Sequence, residues 1–401
     1  MNILVLSDAF WPDHTGGISK SLLPEVEELV ARGHRVVVIT RRLRGNLPFH
    51  ESRNGYELFR YLSPPKGTVF YRLYPLFSIS QVPKLAARLH REFRFDVAYI
   101  ANNPFQAVGL MRSSLGIPYV YVFYAPTPQE IELDASCRKY GLSTPLVKIV
   151  NHWIKPKEQQ ALSQAMKILV RSKFSRKVME QFYGEVGKNK TVRIPLCVDT
   201  QRFSFVENPI SIREKLRLPL DRPILLTVRR LVARMGLENL ITAMREVARY
   251  VPNVLLLIGG KGYLENSLRK QAKELRLEQN VRFLGFISED KLPMYYQAAD
   301  LFVLPTMALE GFGLVTIEAL SCGTPVVATP VGANPEVLGP LGEEFLCQDT
   351  SPEALAERIR WSIKQGVGAE LRKRCREYCE LKFSIERVVN LIEAVLLRAL
   401  K

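Results

Sequence analysis

A chain of 401 residues has room for two or more domains, and its 47% hydrophobic content supplies large packed cores. The net charge of +16 points to anionic partners, but no zinc finger, helix-turn-helix spacing or RNA-binding aromatic motif accompanies it, so an anionic membrane or an acidic substrate leads over nucleic acid. No run of about eighteen apolar residues marks a membrane span, the start MNILVLSDAFWP lacks a signal-peptide pattern, and six scattered cysteines without CxxC spacing argue against zinc and for a reduced, cytoplasmic setting.

In chain order, Asn2–Ser7 (NILVLS) reads as a buried strand. Helical spacing follows from Ser19 to Arg32 at Leu22, Leu23, Val26 and Leu29, and Gly33 stops it before the next strand, Arg35–Thr40. Further strands are predicted at Val97–Ile100, Tyr119–Tyr124 and Lys167–Val170, with a helix at Pro83–Phe93. The rhythm pauses around Val192–Phe203 and restarts with strands at Pro223–Thr227, Val254–Ile258, Val281–Leu284, Leu301–Leu304 and Val326–Ala328. Between these strands lie helices at Leu237–Tyr250, Leu264–Leu275, Lys291–Ala298 and Leu314–Leu320. Continuous apolar strands alternating with helices specify parallel sheets covered on both faces. The reading is therefore α/β with two doubly wound domains, residues 1–200 and 201–383, and a last helix over 384–401 that crosses back to the first domain. Ligands of such sheets bind beyond the carboxyl ends of the strands, so the cleft between two facing domains is the expected site.

Five segments sit at such strand ends. Glu310 and Glu318 flank Gly311-Phe312-Gly313, with Leu314 opening a helix. Glycines allow close backbone approach, a helix start binds phosphate, and carboxylates accept from paired hydroxyls. One acid on each side of a phosphate cradle suits a ligand with two polyols about a diphosphate, as in a nucleotide sugar. The alternative is a solvated loop acid and a helix-face acid. After the first strand, His14-Thr15-Gly16-Gly17 offers backbone amides and a helix dipole, or is an ordinary turn. Arg229, Arg230 and Arg234 place positive charge past another strand, where arginine forks suit phosphate. Gly259-Gly260-Lys261-Gly262 resembles a phosphate loop but lacks the GKS/T ending of an ATPase, and Gly285-Phe286-Ile287 can offer backbone groups to a base.

Together these segments resemble the retaining glycosyltransferases of family four, which have the GT-B fold of two Rossmann-like domains facing across a cleft. The resemblance covers nearly the whole chain. It rests on the E-x7-E pair Glu310 and Glu318 with its tail EALSCGTPVVAT, on the glycine pair after DAFWPDHTGG, and on RRLVARMGLENLI and LGFISEDKLPMYYQAADLFVLPT. It implies that Glu310 holds donor-sugar hydroxyls and Glu318 the ribose diol. It puts the backbone of Gly311, Phe312, Gly313 and Leu314 at the sugar or diphosphate, Arg230 with Arg234 at the leaving diphosphate, and Phe286 and Gly260 near the nucleotide. Gly16 and Gly17 would face the donor phosphate, and His14 and Glu130 the acceptor.

No cofactor or metal is implied, and no D-x-D motif is present. Two positions depart from the family pattern. Tyr124 stands where a histidine is common and takes its catalytic role here, and Met235 stands where a lysine is common. The expectation is a metal-independent transferase moving a sugar, with UDP favoured over GDP, to a glycolipid, polysaccharide or glycoside. Its setting would be cytoplasmic, peripheral at the inner membrane face. A catalytically weak nucleotide-sugar-binding partner subunit and a nucleotide-sugar epimerase stay open beside it. The aromatics Tyr56, Phe59, Tyr61, Phe70, Tyr71, Tyr74 and Phe77, interspersed with cations, suit a membrane contact or a lipid-linked acceptor, or else are core beneath a wet helix face.

Overall fold

The computed structural model describes residues 1–13, 16–64, 73–129, 132 and 144–400. The chain divides into two compact units, Met1–Cys197 with Ile385–Lys401, and Val198–Ser384.

The first unit carries an eight-stranded sheet built from β1 (Asn2–Ser7), β2 (Arg35–Arg42), β3 (His50–Arg53), β4 (Tyr56–Leu62), β5 (Val97–Ala101), β6 (Tyr119–Phe123), β7 (Lys167–Val170) and β8 (Thr191–Arg193), in the order β3-β4-β2-β1-β5-β6-β7-β8. All pairs are parallel except β3–β4. The central strands are buried on both faces, which is why they read as unbroken apolar runs. The β3–β4 hairpin is an addition to the strands expected from sequence. It turns at Asn54-Gly55, where both residues have positive φ.

Helix Tyr74–Phe93 begins well before Pro83, which lies inside it. Tyr56, Phe59 and Tyr61 are core residues, so for these three the core reading holds. Phe70 and Tyr71 lie outside the described residues. The final helix, Ile385–Ala399, buries Val388, Val389, Ile392, Val395 and Leu396 in the core of the first unit. Its Glu393 pairs with Arg32 at 3.0 Å and His34 at 2.8 Å.

The second unit carries a wholly parallel five-stranded sheet of β9 (Ile224–Val228), β10 (Leu255–Gly259), β11 (Val281–Gly285), β12 (Leu301–Leu304) and β13 (Val326–Ala328), in the order β11-β10-β9-β12-β13. The chain runs outward from β9 through β10 to β11, then returns to the other side of β9 as β12. The order therefore reverses between β9 and β12, and ligands of such sheets bind beyond the carboxyl ends at that reversal. In the first unit the same reversal lies between β1 and β5.

Candidate functional site

At the reversal point of the second unit, the first residue past β9 is Arg229, and the loop past β12 carries Glu310. Arg229 Nη2 donates to Glu310 Oε2 at 2.5 Å, and its Nη1 donates to Thr306 Oγ1 at 2.7 Å. Thr306 Oγ1 in turn donates to Glu310 Oε2 at 3.1 Å. Glu310 is 9% exposed, and Thr306 is fully buried. An opposite charge and a hydroxyl on one oxygen fix the rotamer of this buried carboxylate.

The backbone around Glu310 is equally constrained. Leu309 holds φ at +56, an uncommon value for a leucine. The Glu310 carbonyl accepts from Ala333 N at 2.9 Å, and a Cβ on Gly332 would lie 2.2 Å from it. Gly260, at φ +126, presses on the Arg229 carbonyl, 1.8 Å from where a Cβ would stand. Only glycine fits there, so the loops after β9 and β10 are locked together.

Past Glu310, Phe312 turns its ring into the core against Phe383 at 5.7 Å. Gly313, at φ +89, begins helix Leu314–Ser321 with no side-chain cap. Thr316 Oγ1 and Asn334 Oδ1 are fully buried near Gly313 and lack hydrogen-bond partners among the described residues. Glu318 lies on this helix, 4% exposed, and accepts from the fully buried Tyr296 hydroxyl at 2.8 Å. Burial first, then the Glu318 charge, pushes the Tyr296 hydroxyl well above its ordinary value and keeps it a donor.

The other expected donor residues of this unit follow the carboxyl ends of its strands. Arg234 reaches the Leu309 carbonyl at 3.4 Å. Met235 is buried. Phe286 follows β11 and is 56% exposed, so a stacking face is open. Arg230 is exposed and makes no ion pair among the described residues. The arginine that meets Glu310 is thus Arg229, beside the Arg230 to which the resemblance gives the role. β9 ends at Val228, one residue later than the reading of Pro223–Thr227, which makes Arg229 the first residue beyond the strand.

At the reversal point of the first unit, two buried arginines brace the loop after β1. Arg41 Nη2 donates to Asp8 at 2.6 Å, and Arg60 forks onto Asp13 at 2.6 and 3.1 Å. Asn103, past β5, donates to Asp8 at 3.1 Å. This loop leads to Gly16, which caps helix Gly17–Ala31, and open space surrounds the position of a Gly17 Cβ. His14 and Glu130, the expected acceptor residues, lie outside the described residues.

Tyr124 is bound into a buried network that no sequence motif announces. Arg171 Nη2 donates to Glu25 Oε1 at 2.7 Å and to the Tyr124 oxygen at 3.0 Å. The Tyr99 hydroxyl donates to Glu25 Oε2 at 2.8 Å, and Ser21 shares a hydrogen bond with Tyr124 at 3.2 Å. Burial raises the Tyr124 hydroxyl above its ordinary value against the pull of Arg171. Its oxygen is therefore committed to its neighbours in the protein. Glu158 holds the following loop, accepting from Thr127 N at 2.9 Å and Thr127 Oγ1 at 3.0 Å.

The buried thiols of Cys375 and Cys379 are pushed up to about 12 by burial, which leaves them unreactive.

Known proteins match this chain over most of its length. Residues 15–202 match the family model for Glycosyltransferase Family 4, and residues 210–382 that for Glycosyl transferases group 1. A GDP-mannose-dependent monoacylated alpha-(1-6)-phosphatidylinositol monomannoside mannosyltransferase of Corynebacterium glutamicum is 31% identical over 55% of this chain and 61% of its own length. A GDP-mannose-dependent alpha-(1-6)-phosphatidylinositol monomannoside mannosyltransferase of Mycolicibacterium smegmatis is 28% identical over 84% of this chain and 82% of its own. Among solved structures, sucrose-phosphate synthase from Thermosynechococcus elongatus superposes with a TM-score of 0.81 at 24% identity, over 99% of this chain and 98% of that one. Anabaena HepE in complex with UDP does so at 0.73 and 21%, over 99% and 100%.

Proposed function

The chain is a glycosyltransferase of the family-four type with the GT-B fold, and we propose that it transfers mannose from GDP-mannose to a hydroxyl of a glycolipid with retention of configuration. The observation that carries the donor site is the pair of buried carboxylates about the Gly311–Gly313 turn, each held by its own donor. In this reading Glu310 accepts from sugar hydroxyls through Oε1, since Oε2 is occupied by Arg229 and Thr306. Glu318 accepts from the ribose diol. The amides of Gly313 and Leu314 meet the diphosphate at the helix start, and Phe286 stacks on the base.

The chemistry follows from charge. The bond from C1 to the diphosphate oxygen breaks as the acceptor oxygen closes on C1 from the same face. The acceptor proton passes to the departing diphosphate oxygen. Negative charge grows on the diphosphate, and preorganised cations and amides stabilise it. Arg229 is rigid at the site, while Arg230 and Lys261 are exposed and can close on a phosphate. These cations support a metal-independent reaction. Tyr124 takes a positioning role, holding the loop after β6 through Arg171 and Ser21.

GDP-mannose is preferred over the UDP-sugar favoured in the sequence analysis because the two mannosyltransferase relatives carry it in their names. The test is transfer of label from GDP-mannose, UDP-glucose or UDP-galactose to phosphatidylinositol mannosides, with products separated into solvent-extractable and aqueous fractions. Label in the extract from GDP-mannose supports the reading. Label only from a UDP-sugar replaces the donor, and conversion of the nucleotide sugar without transfer supports an epimerase.

A further inference from the structure

Charge divides unevenly between the two units. The first holds 31 Lys and Arg against 17 Asp and Glu, the second 25 against 23, so +14 of the +16 lies on the first. That excess exceeds what a single nucleotide sugar needs, and the donor residues lie mainly on the other unit.

The same first unit has an open groove of about 520 Å³ where helix Tyr74–Phe93, the end of helix Pro104–Arg112 and helix Thr144–Gln164 meet. Its walls are Leu76, Phe77, Ile79 and Trp153. Leu76 is 53% and Trp153 40% exposed, and the Trp153 ring lies on that of Phe105 at 5.5 Å. Ile79, Phe105 and Ile154 form a small core beneath. Gln81 donates to the Leu62 carbonyl at 2.8 Å, so the exposed Leu62 borders the same face, and exposed Leu73 precedes the first helix.

Arg112 and Lys157 stand on the groove; among the described residues neither has an ion-pair partner and no acidic side chain lines it. A solvent-exposed tryptophan and leucines over a hydrophobic floor are costly in water. An aromatic at the edge of an apolar groove, with cations beside it, matches a lipid surface, where acyl chain, glycerol and phosphate follow one another in depth.

We propose that this groove seats an anionic phospholipid of a membrane surface, with the acyl chain against Leu76, Ile79 and Trp153 and the phosphate between Arg112 and Lys157. The proposal deepens the glycolipid reading, yet its test needs neither donor nor turnover, so either can fail alone.

Trp153 is the reporter. In a Trp11→Phe, Trp361→Phe background it is the remaining tryptophan of three. The full chain is titrated with vesicles of phosphatidylcholine, alone and mixed with phosphatidylglycerol, and then with acyl-brominated lipids. The expected result is a blue shift with the anionic vesicles only, and quenching by the brominated chains. Arg112→Gln with Lys157→Gln lowers the vesicle affinity about thirtyfold while leaving GDP titration unchanged. Leu76→Asp removes the quenching. An unshifted Trp153 with anionic vesicles overturns the proposal, as does vesicle binding that neither quenches Trp153 nor responds to the two substitutions. Inorganic phosphate is the control: a shift with phosphate alone would mean an anion site without a lipid, and would overturn it too.

Discussion

Replacing Arg229 by methionine separates the two neighbouring arginines. Arg229 gives two hydrogen bonds, one to Glu310 at 2.5 Å and one to Thr306 at 2.7 Å, with side-chain exposures of 5% for itself and 11% for Glu310. The substitution leaves a buried carboxylate with the Thr306 hydroxyl in place of a charge partner. Breaking a buried pair from one side costs about 3–5 kcal/mol, and the slight exposure places this pair near the lower end, ~3 kcal/mol. For a unit the size of Val198–Ser384, that lowers the melting midpoint by about 6–12 °C. Arg230→Met, which removes an exposed charge, leaves the midpoint unchanged. Calorimetric melting of both variants, with Glu310→Gln and the Arg229→Met/Glu310→Gln double variant, closes a cycle. The double variant melts well above the sum of the two losses, because the unpaired charge is gone. Equal melting of Arg229→Met and wild type would refute the reasoning, and so would a loss confined to Arg230→Met.

Tyr296→Phe removes the donor to Glu318 in a fully buried setting; it lowers stability by about 1.5–3 kcal/mol in urea unfolding and weakens nucleotide binding in calorimetric titration. Gly260→Ala drives a Cβ to 1.8 Å from the Arg229 carbonyl at a φ of +126; urea unfolding reads a loss of about 2–5 kcal/mol, with donor binding lost as the Arg229 loop shifts. The Glu393 carboxyl is raised by burial but lowered more by Arg32 and His34, so its folded value lies below the ordinary 4.5. A depressed carboxylate stabilises the fold above its unfolded value and loses that contribution as pH falls through the folded one. Glu393→Gln therefore melts lower than wild type at neutral pH, and the two converge at pH values below 4.5.

The buried parallel strands were legible because a strand covered on both faces must be apolar throughout. Asn2–Ser7, Lys167–Val170, Leu301–Leu304 and Val326–Ala328 match their sequence bounds, as does helix Leu237–Tyr250. The β3 strand was not legible, since HESR is a polar edge strand whose residues are exposed or half-exposed, and Asn54-Gly55 was its one signal. Pro83 misled the helix start: a proline suits a first turn, but this one lies within a twenty-residue helix. Glu310 and Glu318 were legible as a pair because both lie on one short segment. Their partners were not. Arg229 is 81 residues from Glu310 in sequence and Tyr296 is 22 from Glu318, so only the sheet order brings them together. The Glu25–Arg171 pair spans 146 residues and joins helix Gly17–Ala31 to the first residue past β7, for the same reason.

In the proposed function Glu310 and Glu318 frame a nucleotide-sugar site. Calorimetric titration of the wild type and Glu318→Ala with GDP, UDP and ADP, without added metal, tests it most directly. The expected result is binding of GDP over the other two, weakened at least tenfold in Glu318→Ala by loss of the ribose hydrogen bonds. Absence of binding by any of the three to the folded wild type, or equal binding by the variant, would contradict it.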